Sequence, residues 1–143
     1  MLVSQILKSK GQVVYTCSPI ETVGAAAAVL HARSVGALVV IDDQDHVVGI
    51  VSERDIVRVI ARQGHMGLSG PISSCMTRGV IYADPDESAA ALMARMTDRR
   101  VRHLPVIKDD RLVGIVSIGD LVKSKIAETE AEAEELKAYI AQG

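Results

Sequence analysis

Val48-Gly-Ile-Val-Ser-Glu-Arg-Asp-Ile-Val57 decides the fold, because the chain repeats it as Val113-Gly-Ile-Val-Ser-Ile-Gly-Asp-Leu-Val122. The second copy starts 65 residues after the first, and seven of its ten positions are identical. A duplicated stretch at this spacing indicates two copies of one structural unit. The sequence therefore predicts two modules of the same fold.

Each copy predicts a strand, a turn and the start of a helix. The β-branched pair Ile50-Val51 suits a buried strand, and Ser52 followed three residues later by Asp55 suits a helix start. A Ser hydroxyl and the free N–H groups of a first helical turn favour an anion such as phosphate, while a nearby carboxylate can accept two ribose hydroxyls. The motif thus predicts a nucleotide site. The alternative is that Ser and Asp only begin the helix.

Composition limits the classes of partner. The 143 residues are 48% apolar, with three Tyr and neither Phe nor Trp, so the predicted core is aliphatic. Few aromatic platforms argue against single-stranded nucleic-acid binding by base stacking. A net charge of −2 without a long basic run gives no electrostatic reason to expect DNA, RNA or an anionic membrane.

Cysteine and histidine positions indicate no metal site and no disulfide. Cys17 and Cys75 lie far apart without a CxxC motif, and the four His are scattered, so both thiols are expected to be free in a reducing compartment. No N-terminal targeting pattern and no apolar run of membrane-spanning length is seen. We therefore expect a soluble cytoplasmic protein.

The remaining elements follow the same repeat. The first module is predicted to have a short helix at 2–7, a strand at 13–16, a helix from Pro19 to about 32 capped by Ser18, strands at 35–41 and 47–51 around a turn at 42–45, a helix from Asp55 to about 62, and a linker at 64–70. In the second module, 72–76 echoes 3–7, and 80–82 echoes the first strand. The offset is 66 up to the hairpin and 65 after it, because the second turn is one residue shorter. The predicted ranges are 1–66 for the first module, 67–126 for the second and 127–143 for an acidic C-terminal helix.

The C-terminal helix carries an apolar repeat. The spacings of four and three residues are typical of a heptad a/d stripe, which contains Val122, Ile126, Thr129, Ala133, Leu136 and Ile140. Two interpretations remain open. The helix either lies solvated along its own domain or pairs with its copy across a homodimer.

The two strand-Ser-x-x-Asp copies, together with Arg102-His-Leu-Pro-Val106, resemble the CBS domain, named for cystathionine β-synthase. The resemblance covers residues 1–126. It implies an α/β (α+β) fold of tandem β-α-β-β-α modules that pack with pseudo-two-fold symmetry, leaving two clefts between them. It also implies association of two such pairs as a homodimer.

In this family the clefts bind adenosine-containing ligands such as AMP, ADP, ATP, S-adenosylmethionine or NAD. By resemblance, the cleft at Asp120 would use that carboxylate for ribose and Ser117 for phosphate. Arg102 and His103 would be further phosphate contacts. The adenine surroundings implied for this cleft are Thr16, Gly36 and Ala37, and Ile115 is a further predicted binding residue.

The counterpart cleft would use Ser52, Arg54 and Asp55, with Tyr82 near the base. Its equivalents of Arg102 and His103 are Gly36 and Ala37, so this cleft lacks that pair of phosphate donors. Either Arg54 substitutes for them, or this cleft prefers a ligand with less phosphate charge. Other interpretations stay open: Arg102 as a surface charge, His103 as a core residue and Tyr82 as packing.

No catalytic constellation is found in the sequence, because the carboxylates have no partnered base and the serines no His at motif spacing. The first hypothesis is therefore a non-catalytic regulatory protein that senses an adenosine nucleotide, such as one reporting the energy state, and acts on an unknown protein partner. The second is a constitutive interaction scaffold that acts through the C-terminal helix. A weak nucleotide hydrolase ranks last.

Overall fold

The structure, a computed structural model, describes residues 1–142. In chain order its elements are α1 (Val3–Lys10), β1 (Thr16–Cys17), α2 (Val23–Arg33), β2 (Ala37–Ile41), β3 (Val47–Ser52), α3 (Glu53–Gln63), α4 (Ala89–Arg99), β4 (His103–Lys108), β5 (Arg111–Ser117) and α5 (Ile118–Gln142). The predicted mixed α/β class and C-terminal helix are confirmed.

The chain divides into two compact units. One is Val13–Ile81, here called the Asp55 unit. The other, the Asp120 unit, consists of Met1–Gln12 and the chain from Tyr82 onward. These units group contacts in space, whereas the ranges 1–66, 67–126 and 127–143 describe the repeat in sequence and stay a prediction of module boundaries.

The Asp55 unit is built on a three-stranded sheet. Strand β1 is parallel to β2, and β2 is antiparallel to β3, with Ala37 opposite Ser52 and an irregularity between Val40 and Ile41. Its core is aliphatic, as composition predicts, and includes Val23, Leu30, Leu38, Val40, Val51, Ile56 and Ile72. The antiparallel pairing of β2 with β3 confirms the predicted hairpin.

The Asp120 unit repeats the hairpin but not the first strand. Strands β4 and β5 are antiparallel, with the irregularity again near the turn, between Val106 and Ile107. The strand predicted at 80–82 is wrong, since only Ala83 forms an isolated parallel bridge, to Val106. In the Asp55 unit the Val39 amide donates to the Tyr15 carbonyl. The equivalent of Val39 is Pro105, which has no N–H to donate, so the ladder is shorter.

Helix α2 begins later than predicted. The expected N-cap Ser18 and first-turn Pro19 lie before the helix, and Thr22 is the cap, with its Oγ1 accepting from the Ala25 amide at 3.0 Å. The reason is tertiary: the Pro19 carbonyl accepts from the Ser73 amide, so it is not used by a helical turn. Helix α4 likewise starts after Ser88, whose hydroxyl accepts from a first-turn amide.

Glycine in each repeated motif allows a neighbouring segment to approach the sheet closely. A Cβ on Gly114 would lie 2.6 Å from Leu7 Cδ2, and a Cβ on Gly49 would lie 2.8 Å from Met76 Sδ. Leu7 and Met76 thus cover equivalent positions in the two units. The sequence echo between 3–7 and 72–76 therefore corresponds to the same packing role.

The predicted linker at 64–70 is ordered rather than free. Residues Gly64–Ser69 form 3₁₀ turns, and the Gly70 carbonyl accepts from the amide of Val23 at the start of α2. Gly67 is buried, and a Cβ there would lie 2.4 Å from Val59 Cγ1. The close packing of this stretch on α3 fixes its path.

Helix α5 packs only by its beginning. Leu121 and Ser124 are buried, whereas the whole stretch from 129 to 142 is exposed. Among the described residues no helix combines the length and apolar composition needed to cross a bilayer.

Candidate functional site

Both Ser-x-x-Asp motifs form the reciprocal hydrogen bonds of a capped helix. The Ser117 hydroxyl accepts from the Asp120 amide at 3.1 Å, and the Asp120 carboxylate accepts from the Ser117 amide at 2.8 Å. The Ser52 and Asp55 pair makes the same two bonds, at 3.4 and 2.9 Å. A structural role in starting the helix is therefore present in both copies. What differs is the surroundings of each carboxylate.

The Asp55 carboxylate is enclosed by donors of its own unit. Its side chain is 5% exposed. Oδ1 accepts from Arg58 Nη1 at 3.1 Å and from Thr77 Oγ1 at 3.4 Å. Oδ2 accepts from both the amide and the hydroxyl of Ser52. Since both oxygens have protein donors, this carboxylate anchors the start of α3 to the segment that contains Thr77.

The Asp120 carboxylate is more open and has a different partner. Its side chain is 20% exposed, and Lys10 Nζ lies 2.6 Å from its Oδ2. The same ammonium donates to the Ile115 carbonyl at 2.8 Å. Partial burial opposes ionisation, but the hydrogen bonds from Lys10 and Ser117 outweigh it and hold the pKa of Asp120 below its ordinary value. Asp120 is therefore an ionised acceptor that solvent can reach.

The backbone of the predicted phosphate contacts of the second module pairs with the residues at the start of α5. His103 on β4 is directly opposite Ser117 on β5, and the Ile118 amide donates to the Arg102 carbonyl at 2.8 Å. Arg102 is exposed and His103 is half-buried. The structure thus brings Arg102, His103, Ile115, Ser117 and Asp120 to one end of the hairpin.

The first module has the same backbone arrangement with different side chains. Ala37 lies opposite Ser52, and the Glu53 amide donates to the Gly36 carbonyl at 3.1 Å. Gly36 and Ala37 therefore occupy the ladder positions of Arg102 and His103, which confirms that part of the alignment. Arg54 is exposed in the first turn of α3.

The other residues predicted for the two clefts are divided between the units. Thr16, Gly36 and Ala37 belong to the Asp55 unit, and Ile115 and Tyr82 to the Asp120 unit. Tyr82 is 42% exposed, and its carbonyl accepts from Arg95 Nη1 at 2.9 Å. Their roles as ligand contacts stay predictions.

Three partners of the motif aspartates were not predicted: Lys10, Arg58 and Thr77. One signal was available. Residues 3–7 and 72–76 are similar in sequence, so the residues just after each segment are expected in comparable places. Lys10 comes after the first segment and Thr77 after the second. Arg58 has only the ordinary i, i+3 spacing from Asp55, which does not distinguish it from other surface pairs.

The Asp55 unit also has an open groove of about 570 Å³ that does not include the predicted site residues. Its lining is mostly apolar and consists of Ala27, Leu30, His31, Ser34, Val35, Glu53, Ile56 and Val57.

Both cysteines are free. Burial, and then the nearby Glu21 and Cys75, raise the pKa of Cys17 to about 12, so its thiol is unreactive at neutral pH.

A model of the CBS domain matches residues 3–62 and 72–126. The CBS domain-containing protein CBSX3, mitochondrial, of Arabidopsis thaliana is 38% identical over 149 residues, which cover 99% of this chain and 72% of the relative.

Solved structures agree with the fold. The CBS-domain protein ATU1752 from Agrobacterium tumefaciens has 42% identity and a TM-score of 0.84, with 87% of this chain and 92% of that chain covered. The CBS domain pair of protein MJ0100, solved with 5′-methylthioadenosine and S-adenosyl-L-methionine, has 27% identity and a TM-score of 0.80, covering 90% and 98%. Because the family model matches two stretches that together include most of the sequence, this chain belongs to the CBS-domain family and contains two CBS modules in tandem.

Proposed function

We propose that this chain is a regulatory protein that binds an adenosine-containing nucleotide, of the AMP, ADP, ATP or NAD type, at the site around Asp120. The observation that carries the proposal is the placement of His103 opposite Ser117, beside a carboxylate that is ionised and partly exposed. The related pair from MJ0100 was solved with two adenosine compounds. The likeness supports a ligand of that class.

The chemistry of the site suits such a ligand. A carboxylate acceptor can receive the two hydroxyls of a ribose, and charge-assisted bonds of this kind are stronger than neutral ones. Arg102, His103 and the hydroxyl of Ser117 are donors for phosphate, next to the first turn of α5, whose dipole favours an anion. Donors for an anion therefore stand beside an acceptor for a diol.

The Asp55 site is proposed to bind such ligands less well. A ribose there would compete with Arg58, Thr77 and Ser52 for the carboxylate. Its ladder positions also carry Gly36 and Ala37, which offer no side-chain donor to phosphate. Because of both differences, we expect the ligand to occupy the Asp120 site at a lower concentration than the Asp55 site.

We propose a non-catalytic role, in a cytoplasmic homodimer whose downstream target is a protein. The free thiols suit a reducing compartment. Apolar side chains left exposed on helices support association, among them Val57 at 64% and Ile60 at 46% on α3. Burial of such side chains between two copies would be favourable.

Thermal melting and mass spectrometry test this function together. A ligand that binds only the folded state raises the melting temperature by mass action, so AMP should raise it more than GMP does, because guanine presents a different edge. Small molecules released from the purified protein should include an adenine compound. Equal shifts with AMP and GMP, or none with either, would remove adenine recognition.

A second candidate function is a constitutive scaffold that recruits a partner through α5. It is favoured by the exposure of Ile126, Leu136 and Ile140, at 53%, 60% and 68%, along one heptad stripe. A chain that binds no nucleotide but loses its partner on deletion of this helix would support it.

A further inference from the structure

We propose that Lys10 is a ligand contact of the Asp120 site and selects for ligands that carry phosphate. This inference rests on the proposed function. Lys10 ends helix α1 and lies 110 residues before Asp120, yet its ammonium contacts both the Asp120 carboxylate and the Ile115 carbonyl. No motif of the sequence assigns it to the site.

The ammonium group has a donor left for a ligand. It has three N–H groups in tetrahedral arrangement. Two of them donate within the protein, at 2.6 Å to Asp120 Oδ2 and 2.8 Å to the Ile115 carbonyl. The third is directed away from both acceptors. Since the Lys10 side chain is 32% exposed, a ligand oxygen can approach it.

The charge of Lys10 also solves an electrostatic problem at this site. A nucleotide phosphate carries close to two negative charges at neutral pH, and a carboxylate beside it repels it. Lys10 pairs directly with that carboxylate, so Asp120 can accept a diol while its charge is offset. A neutral ligand such as adenosine does not need this compensation.

The two units differ in the partner of the motif aspartate, just as they differ in the residues predicted to contact phosphate. In the Asp55 unit, the segment after Met76 places the neutral hydroxyl of Thr77 next to Asp55. In the Asp120 unit, the segment after Leu7 places the ammonium of Lys10 next to Asp120. The unit with Lys10 is also the one with Arg102 and His103. The three basic residues therefore belong to one unit, and each would favour an anion there.

Calorimetric titration of wild type and Lys10→Met with AMP and with adenosine tests the proposal. Met keeps most of the length and the apolar packing of the Lys stem but removes the charge. Loss of one charge-assisted hydrogen bond predicts AMP affinity lower by about ten- to a hundred-fold, with adenosine affinity changed by less than about three-fold. Lys10→Arg should retain a large part of the preference for AMP. Lys8→Met, an exposed lysine on the same helix, is the matched control and should bind as wild type does.

The ratio of AMP to adenosine affinity separates a ligand contact from a structural role. If Lys10 only positioned Asp120, both ligands would weaken by the same factor, and that result overturns the proposal. Unchanged AMP affinity in Lys10→Met overturns it as well. If wild type binds neither compound, the proposed function itself is refuted. If wild type binds both compounds, and Lys10→Met has the same ratio of AMP to adenosine affinity as wild type, only the role of Lys10 is refuted. Melting curves of each variant establish that the folded protein is being titrated.

Discussion

His103 on β4 lies directly opposite Ser117 on β5, in the ladder position that Ala37 has opposite Ser52. The backbone of the two modules is equivalent there, so the side chain is the difference. His103→Ala therefore gives the second module the residue of the first. We expect AMP affinity to fall by up to about ten-fold, which corresponds to one hydrogen bond, with little change for adenosine. Titration calorimetry with His65→Ala, an exposed histidine, as control checks it; equal losses for both ligands would contradict a phosphate contact.

The motif aspartates are expected to respond differently to removal. Asp120→Ala should lower AMP affinity by roughly a hundred- to ten-thousand-fold, because two hydrogen bonds to a charged acceptor are lost. Asp55→Ala should mainly lower the free energy of unfolding, since it leaves Arg58 and Thr77 without their acceptor. Titration with AMP and urea melts of both variants measure the two effects. If both variants bind AMP as wild type does, the motif only begins helices.

Acid should destabilise the Asp120 unit, and part of this effect should require Lys10. The pKa of Asp120 is lowered in the folded state, and so is that of Glu87, chiefly through Arg95. A carboxylate with a lowered pKa contributes stability that is complete above its unfolded pKa, about 4. The contribution is lost as pH falls through the folded pKa.

The corresponding measurement is the free energy of unfolding from urea melts between pH 7 and pH 2.5. Lys10→Met should show a shallower decline below about pH 4 than wild type, because Asp120 has lost its cation. The decline due to Glu87 should remain. Identical slopes in the two proteins would mean that the ion pair adds nothing to stability in solution.

Alanine at the motif glycines tests the close approach of the neighbouring segments. In Gly49→Ala the new Cβ would lie 2.9 Å from the Thr77 carbonyl, which is held by hydrogen bonding to the Ile50 amide. In Gly114→Ala the nearest atoms all belong to the Leu7 side chain. Overpacking costs about 1–3 kcal/mol, and we expect Gly49→Ala to be the worse, since backbone yields less than a side chain. Denaturant melts rank the two, and the reverse order would contradict this packing.

Truncation after Lys125 should weaken a dimer if the stripe on α5 pairs between copies. The deletion removes Leu136, Tyr139 and Ile140, all largely exposed on the single chain. Sedimentation equilibrium of full-length and truncated protein measures the dissociation constant. An unchanged constant would assign dimer formation to other surfaces, such as the exposed face of α3.

The sequence by itself determined the repeated unit and the place of its main elements. A period of 65 to 66 residues, the β-branched strands and the Ser-x-x-Asp spacing were enough to predict two modules, both hairpins and the alignment of Arg102 and His103 with Gly36 and Ala37. These features depend on local chemistry: strand alternation, turn length and helix capping act between residues close in sequence.

Only the tertiary structure decided what surrounds each aspartate. Lys10 reaches Asp120 across 110 residues, and Thr77 reaches Asp55 across 22, because each segment packs on a motif glycine. The missing strand at 80–82 likewise depends on a partner, Pro105, that is distant in sequence. Contacts of this kind leave no periodic pattern in the sequence, because they form only when distant segments of the chain pack together. The identical Ser-x-x-Asp motif is therefore enclosed in one unit and open in the other.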